Sequence, residues 1–535
     1  MEEYKILFRP SGRKVTCSAR SDILSCCRRN DIAINSVCGG QGKCRSCRVR
    51  IEKGSAGPPT AAERKKLSRQ ELESGWRLAC QTRPARDLTV YLPPVRGLTS
   101  TPAFKEELLA GIVPDGRARR AGKAPGVAVD LGTTKIAGYL VDLRDGRILG
   151  SCAVANPQEV YGDDVISRIT YAMGSDNGEK KLQKKAVAAI DELIKKLCLG
   201  ADCEPGMISR VSVCGNTAMH HLLLGLPVGQ LAHAPYLPWT KDPVSMRAGR
   251  LGLKSVEKAD VYLLPIIGGY VGGDHVAVLA ATDAADRKSP TLIVDIGTNT
   301  EISLAGAGGI TSVSCASGPA FEGGHIKHGM KASARAIDRI VIKDGRVRYR
   351  TIGRHRPVGI CGSGMLDAVA QMSIAGLLDP GGRIRRESPL IRLEGGQPEM
   401  SIAGGDRSAG GEDIVITQGD IRELQLAKAA IRTGIDILLE TAGMAADDVK
   451  RVIIAGTFGN YIDIKSAVRV GMLPDLPLRR FSQVGNAAGA GACMVLVSQT
   501  ARKKAEYMAG DVRYIELADR PDFMQVFVRA LGIPS

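Results

Sequence analysis

The chain has 535 residues, room for about three domains of ordinary size, and its 44% hydrophobic content excludes wholesale disorder. Aromatics make up only 4% while glycine reaches 63 residues, which favours closely packed α/β layers over a β-sandwich. The formal charge of +17 reads as a solvated basic surface around an anion site, because no nucleic-acid module is recognisable.

The first residues, MEEYKILFRP, are charged and already strand-like, so they do not read as a signal peptide. The apolar stretch 261–273 is too short and too rich in glycine to span a bilayer. Fourteen cysteines, crowded at the front and then scattered without rhythm, argue for a reduced chain with one metal site. A cytoplasmic protein away from membranes is therefore expected.

Residues 4–9 and 13–17 alternate like two strands joined by Pro10-Ser11-Gly12. Residues 21–30 read as a helix capped by Ser21. The loop VCGGQGKCRSC (37–47) then places Cys38, Cys44 and Cys47 within ten residues, and Cys80 follows in RLACQT. Four thiolates can hold a [2Fe–2S] cluster, and the spacing is close to the plant-type C-x4-C-x2-C…C pattern. The glycines of the loop allow positive φ and close backbone approach to sulfide. Zinc fits less well, since it favours paired short spacings and Cys80 stands alone. Cys17, Cys26 and Cys27 lie off the pattern and read as small buried apolar residues. Thr60-Ala-Ala-Glu63 is a capping-box signature. The loop, the RLACQT context and the strand order resemble adrenodoxin-like ferredoxins, which implies a β-grasp domain over residues 1–93.

Residues 94–125 read as a linker, with a short helical patch at 103–109 and a basic run, RARRAGK, at 117–123. A flexible hinge there would suit a cluster that swings between donor and acceptor.

Beyond the linker a motif occurs twice. GVAVDLGTTKIAGYLVDL (126–143) is a strand, the turn Asp130-Leu-Gly132-Thr133-Thr134-Lys135, and a second strand. TLIVDIGTNTEISLAG (291–306) repeats it with Asp295, Gly297, Thr298 and Asn299. The segment 210–227 is answered likewise by 451–464, each a strand running into a glycine–asparagine turn. Such duplication implies two similar lobes, 126–288 and 289–535, with a cleft between them. In each hairpin the glycine brings backbone N–H groups to phosphate oxygens. The threonine hydroxyls add hydrogen bonds, and the strand-end aspartate can hold Mg²⁺ through its waters. No Walker-type loop is present.

These residues resemble the superfamily of acetate and sugar kinases, heat-shock chaperones and actin (the ASKHA fold, actin-like and ribonuclease H-like). The resemblance makes 130–135 and 295–300 the two phosphate hairpins and Asp274, in GGYVGGDHVAVLAAT, the residue that orients water toward the γ-phosphate. It also makes Gly456, Thr457, Gly459 and Asn460 the adenosine-binding turn, and the small-residue segment 485–496 a helix whose close packing permits lobe rotation. Asn299 and Glu301 stand where kinases often carry Gly or Thr, which implies slow hydrolysis with ATP as a switch.

Other features invite blander interpretations. His220 and His221, adjacent on a helix, cannot share a face, so one is expected buried and one exposed. GICGSGMLDAVA (359–370) is either a tight helix start or part of a nucleotide wall. Residues 314–330, with Glu322, His325 and His328, suit a substrate or partner loop near the second hairpin.

The order of parts resembles the reductive activators of corrinoid proteins. That resemblance covers nearly the whole chain. It implies that Cys38, Cys44, Cys47 and Cys80 carry an electron, that the lobes bind ATP·Mg²⁺, and that a corrinoid protein of a methyltransferase system is restored from cob(II)alamin to cob(I)alamin. An external low-potential donor would supply the electron, and a homodimer stays open. A plant-type centre sits near about −400 mV, and each further 100 mV uphill costs an electron about 2.3 kcal/mol, which gives ATP a role. Two other readings remain: a redox-regulated small-molecule kinase, and a nucleotide-gated electron carrier that hydrolyses nothing. Activators of 2-hydroxyacyl-CoA dehydratases share the ATPase fold but lack the ferredoxin front.

Overall fold

The computed structural model describes all residues except 1, 31, 33, 35–39, 41, 43, 44, 46, 94–102, 116–124, 163 and 535. Strands β1 (Glu3–Arg9) and β2 (Arg13–Ser18) pair antiparallel, and their alternation buries Ile6 and Phe8 completely. The following helix, Ile23–Arg29, starts later than Ser21 would set it. Asp22 is the cap, because its carboxylate accepts both Ser25 N and Ser25 Oγ at 2.8 Å. β3 (Arg48–Lys53), β4 (Trp76–Leu78) and β5 (Leu88–Tyr91) complete a five-stranded sheet of order β2-β1-β5-β3-β4, with β5 parallel to β1. Cys17, Cys26 and Cys27 are buried in its core, as expected of small apolar residues.

The first lobe is a six-stranded sheet of β6 (Pro125–Leu131), β7 (Lys135–Asp142), β8 (Ile148–Ala155), β9 (Arg210–Gly215), β10 (Val244–Arg247) and β11 (Asp260–Leu263). Its order is β10-β11-β9-β6-β7-β8. β6 and β9 are covered on both faces, so their sequences run apolar rather than alternating. The second lobe repeats the plan. β12 (Thr291–Ile296), β13 (Thr300–Gly306) and β14 (Gly309–Cys315) form the same meander. Two small sheets intervene: β15 (Ala336–Lys343), β16 (Arg346–Thr351) and β17 (Gly359–Ile360), then β18 (Ile391–Glu394), β19 (Gln397–Ala403) and β20 (Ile414–Thr417). β21 (Arg451–Ala455), β22 (Phe481–Gly485) and β23 (Arg513–Tyr514) close the large sheet in the order β22-β21-β12-β13-β14-β23. β21 lies parallel to β12 as β9 lies parallel to β6, so the internal repeat legible in the sequence is a topological one.

Two helices join the lobes, Gly273–Ala281 and Ala487–Val497, both rich in small residues. A Cβ on Gly491 would lie 2.0 Å from the carbonyl oxygen of Ala277, so the helices meet backbone to backbone.

Residues 103–115 are held against the lobes. Lys105 N donates to Val484 O at 3.2 Å and Asn486 N donates to Ala103 O at 3.0 Å. Phe104 packs on Tyr139 of the first lobe, with ring centroids 5.0 Å apart. Asp115 accepts Gln499 N at 2.7 Å and faces Arg210 Nη1 at 3.4 Å. Phe104, Leu108, Leu109 and Ile112 pack against the inter-lobe core, which is why the segment is held. The basic run 117–123 lies outside the described residues.

The histidine pair also departs from expectation. Both His220 and His221 are buried, because the helix Thr217–Leu224 is enclosed on all sides. His221 Nδ1 sits 2.8 Å from Thr217 O, and its Nε2 accepts Trp239 N at 2.9 Å.

Candidate functional site

The cluster loop lies at one end of the β-grasp sheet. Cys47 immediately precedes β3 and Cys80 follows β4, and their Sγ atoms are 3.5 Å apart. Metal–sulfur bonds of about 2.3 Å in tetrahedral geometry place sulfurs about 3.8 Å apart, so this pair fits one metal ion. Cys38 and Cys44 lie outside the described residues. Gln81 Nε2 approaches Cys80 Sγ at 3.7 Å, a donor of the kind that tunes a thiolate. Gly40, at φ +105°, adopts a conformation closed to most side chains and passes beside Leu24 and Arg28.

What holds Cys80 in place is Glu63. Its capping box with Thr60 forms as expected. Its carboxylate, fully buried, also takes Arg77 Nε at 2.8 Å, Leu78 N at 3.0 Å and Thr82 Oγ1 at 3.0 Å. The helix cap thus anchors both flanks of the RLACQT turn. Burial opposes the charge on Glu63, but these donors win and hold its pKa below the usual carboxylate range.

The cleft is built by the two hairpins. Asn156 Nδ2 donates to Gly132 O at 2.9 Å, Arg168 Nη2 to Thr133 O at 2.5 Å, and Asn216 Nδ2 to Thr133 Oγ1 at 2.9 Å. The turn between β6 and β7 is therefore braced from three elements, leaving Thr134 and Lys135 toward the cleft. In the second hairpin, Gly297 N donates to Asn299 O at 3.1 Å, and Ser317 Oγ meets Thr300 Oγ1 at 2.9 Å. Thr298 faces Thr134 across the cleft through one carboxylate, that of Glu322, which touches both hydroxyls.

Behind the hairpins lie four carboxylates, Glu301 buried and Asp130, Asp274 and Asp295 half-buried. Burial pushes Asp130 up to about 6, with Asn486 acting against it. Burial and the neighbouring Asp130 push Asp274 up to about 7, and burial with Asp274 and Asp130 pushes Asp295 up to about 8. Glu301 is raised well above its ordinary value by burial and by Asp274 and Asp295. These groups become anions cheaply only when a cation joins them. Among the described residues no three His, Cys, Asp or Glu side chains converge on one metal position.

The turn after β21 packs on the second hairpin. Gly456 has φ +89°, and a Cβ there would lie 2.3 Å from Ile296 O, so only glycine brings this turn so near. Gly459 is buried, Asn460 half-buried and Thr457 exposed on the same turn. Phe458 stacks on Phe321 at a centroid distance of 4.7 Å, linking this turn to the one that carries Glu322. The helix Gly362–Ile374 starts against the backbone of Phe321, which gives residues 359–370 a packing role.

The structure thus gathers Asp130, Asp274 and Asp295 with Thr134, Lys135 and Thr298, and sets the 456–460 turn alongside. Three contributors were not singled out from sequence as site residues: the bracing Arg168, Glu322 as the bridge, and Asn486 as the donor to Asp130. Glu322 had a signal, the glycine-rich loop around it; Arg168 had none. One further contact joins the two parts of the site. Arg28, beside the cluster loop, donates Nε to Val160 O of the first lobe at 2.7 Å.

A β-grasp iron–sulfur domain followed by two duplicated lobes that clasp a phosphate-type cleft defines a redox protein built on an ASKHA fold. Residues 7–85 match the 2Fe-2S iron-sulfur cluster binding domain, 125–287 the RACo middle region, and 289–535 the C-terminal domain of RACo, the ASKHA domain. The chain is 31% identical to the corrinoid activation enzyme RamQ of Eubacterium limosum, with 98% of each chain covered. It is 26% identical to the [Co(II) methylated amine-specific corrinoid protein] reductase of Methanosarcina barkeri, over 68% of each. A solved structure, the reductive activator for corrinoid, iron-sulfur protein, matches with a TM-score of 0.71 and 32% identity over 99% of this chain and 98% of that one. The chain belongs to the RACo family of reductive activators of corrinoid proteins. Among the described residues no helix is long and apolar enough to cross a membrane.

Proposed function

We propose that the protein passes one electron to the cob(II)alamin of a corrinoid protein in a methyltransferase system, restoring cob(I)alamin, and that ATP·Mg²⁺ binding between the lobes drives the step. The observation that carries this is the Arg28–Val160 contact, since it seats the cluster domain on the segment that also supplies Glu159 to the cleft. A [2Fe–2S] centre supplies the single low-potential electron when bound at Cys38, Cys44, Cys47 and Cys80. Glu63, Arg77 and Thr82 fix Cys80, and Gln81 Nε2 donates toward its Sγ.

In the cleft, Gly132, Thr133, Thr134 and Lys135 would grip the phosphates from one side, and Gly297, Thr298 and Asn299 from the other. Asp130 and Asp295 would hold Mg²⁺ through its waters, and Asp274 would orient a water toward the terminal phosphate. Gly456, Thr457, Gly459 and Asn460 would lie against the adenosine. Mutual closure of the lobes on the nucleotide stabilises one conformation over another, and only that difference in affinity can do work on the electron. The electron arrives from an external low-potential donor, and the lobes work in the cytoplasm.

The test is anaerobic. The reduced protein is mixed with a cob(II)alamin-loaded corrinoid protein and its methyl donor system, with and without ATP·Mg²⁺, and the cobalt absorbance is followed. Loss of the cob(II)alamin band that requires ATP and vanishes in Cys44→Ser is the expected result. Steady ADP release with small hydroxylated substrates and no cobalt change would turn the assignment to a kinase.

A further inference from the structure

Glu322 accepts Thr134 Oγ1 at 3.1 Å through one carboxylate oxygen and Thr298 Oγ1 at 2.6 Å through the other. A single anionic group thus occupies the seat between the two hairpins and satisfies the hydroxyl of each. A second strut lies beside it, where Lys331 of the second lobe pairs with Glu159 of the first at 2.5 Å. The cavity left between these struts is about 60 Å³, whereas sites that enclose small ligands run to about 300–1,000 Å³. Both struts line that cavity and close it between the two hairpins.

Resting on the nucleotide reading above, we infer that Glu322 is a built-in competitor for the terminal phosphoryl group: its carboxylate holds that group's seat, and a nucleotide whose phosphate chain reaches both Thr134 and Thr298 must displace it to bind. A terminal phosphoryl group offers three oxygens, enough to replace both hydroxyl hydrogen bonds at once. A shorter phosphate chain reaches one hairpin only and leaves Glu322 bonded to the other. A phosphate placed beside an undisplaced Glu322 would put like charges in contact in a poorly solvated cleft. The charges around the seat are arranged for the exchange, since Lys135 feels both Glu322 and Lys331. The side chain is what moves: the Pro319–Glu322 turn is held by buried Phe321, stacked on Phe458.

The test uses the full chain with its cluster, kept anaerobic, and measures equilibrium affinity for ADP and for the non-hydrolysable imido analogue of ATP. Glu322→Gln and Glu322→Ala are expected to tighten the triphosphate about tenfold, equivalent to about 1.4 kcal/mol, while ADP affinity changes less than twofold. Lys331→Met opens the other strut without emptying the seat and is expected to leave the ratio of the two affinities unmoved. Melting curves without nucleotide check that each variant folds; Glu322→Gln, nearly isosteric, carries the comparison if Glu322→Ala does not. A wild-type protein that binds both ligands, with a ratio unmoved or lowered in Glu322→Gln, overturns this inference and leaves the nucleotide site standing. A wild-type protein that binds neither overturns the nucleotide site and this inference with it.

Discussion

Asn486 donates its side-chain amide to Asp130 at 2.8 Å, which ties the cap of the last inter-lobe helix to the strand-end carboxylate of the first hairpin. Its amide oxygen accepts Gly489 N at 3.1 Å, and its amide nitrogen also donates to Tyr139 OH at 3.1 Å. One residue therefore caps a helix, orients an aspartate and joins two lobes. Asn486→Ala is expected to lose about 1–3 kcal/mol of stability, from an unpaired buried group and a missing cap. It should also weaken Mg²⁺-dependent nucleotide binding by about tenfold, because Asp130 then rises further and resists ionisation. Calorimetric titration and chemical denaturation of the variant check both; a stability loss with unchanged nucleotide affinity would mean that Asn486 does not act through Asp130.

The aspartates set a pH dependence of definite sign. Asp130, Asp274 and Asp295 sit at about 6, 7 and 8 in the native protein, against about 3.9 in an unfolded chain. The native state thus holds more protons than the unfolded one between about pH 4 and pH 8, and stability must fall with rising pH there. The contribution is complete below the unfolded value and lost as pH rises through the native values. In chelator, denaturant midpoints should decline from pH 5 to pH 8.5, and Asp295→Asn should flatten the upper part of that decline. Saturating Mg²⁺ and nucleotide should raise stability most at the alkaline end, where the carboxylates are free to ionise. A variant profile that superimposes on the wild type would remove Asp295 from this account.

How far these features could be read from sequence depended on their range. The hairpins were legible because an apolar strand, Asp, Gly and Thr are contiguous, and the cysteine loop for the same reason. The glycine-rich loop marked Glu322 as near the second hairpin, but its bridging role was not assignable, because its partner Thr134 lies 188 positions away. The packing of 103–115 was not legible, because the scattered Phe104, Leu108, Leu109 and Ile112 show their apolar purpose only once the inter-lobe core exists. The histidine pair was misjudged because helical geometry assigns faces but does not say how many of them are covered.

Glu63 offers a test of how the protein scaffold fixes a cluster ligand. Its carboxylate is fully buried, paired with Arg77 and bonded to the backbone two residues before Cys80. Glu63→Gln leaves the Arg77 charge without its partner, and breaking a buried pair of this kind costs about 3–5 kcal/mol. The variant should bind less iron and sulfide per chain, and its cluster absorbance should bleach faster on warming. The double variant Glu63→Gln, Arg77→Met should recover part of the stability. No recovery would place the defect in the bonds to Leu78 and Thr82 rather than in the ion pair.

Arg28 tests whether the cluster domain is held on the lobes. Its Nε donates to Val160 O at 2.7 Å and its guanidinium lies 6.0 Å from the Tyr171 ring centroid. Both partners belong to the stretch from Pro157–Tyr161 to Val165–Gly174, which also carries Glu159 and the bracing Arg168. A hydrogen bond from a charged donor contributes about 1.5–3 kcal/mol. Arg28→Ala should therefore enlarge the radius of gyration in solution scattering. Arg28→Lys keeps the charge but not the planar donor, and should fall between the two. If the nucleotide cleft acts on the cluster through this contact, the reduced-cluster magnetic resonance spectrum will change on nucleotide addition in the wild type and stay fixed in Arg28→Ala. An equal change in both proteins would show that the nucleotide reaches the cluster by another route, or that the domain moves freely in either case.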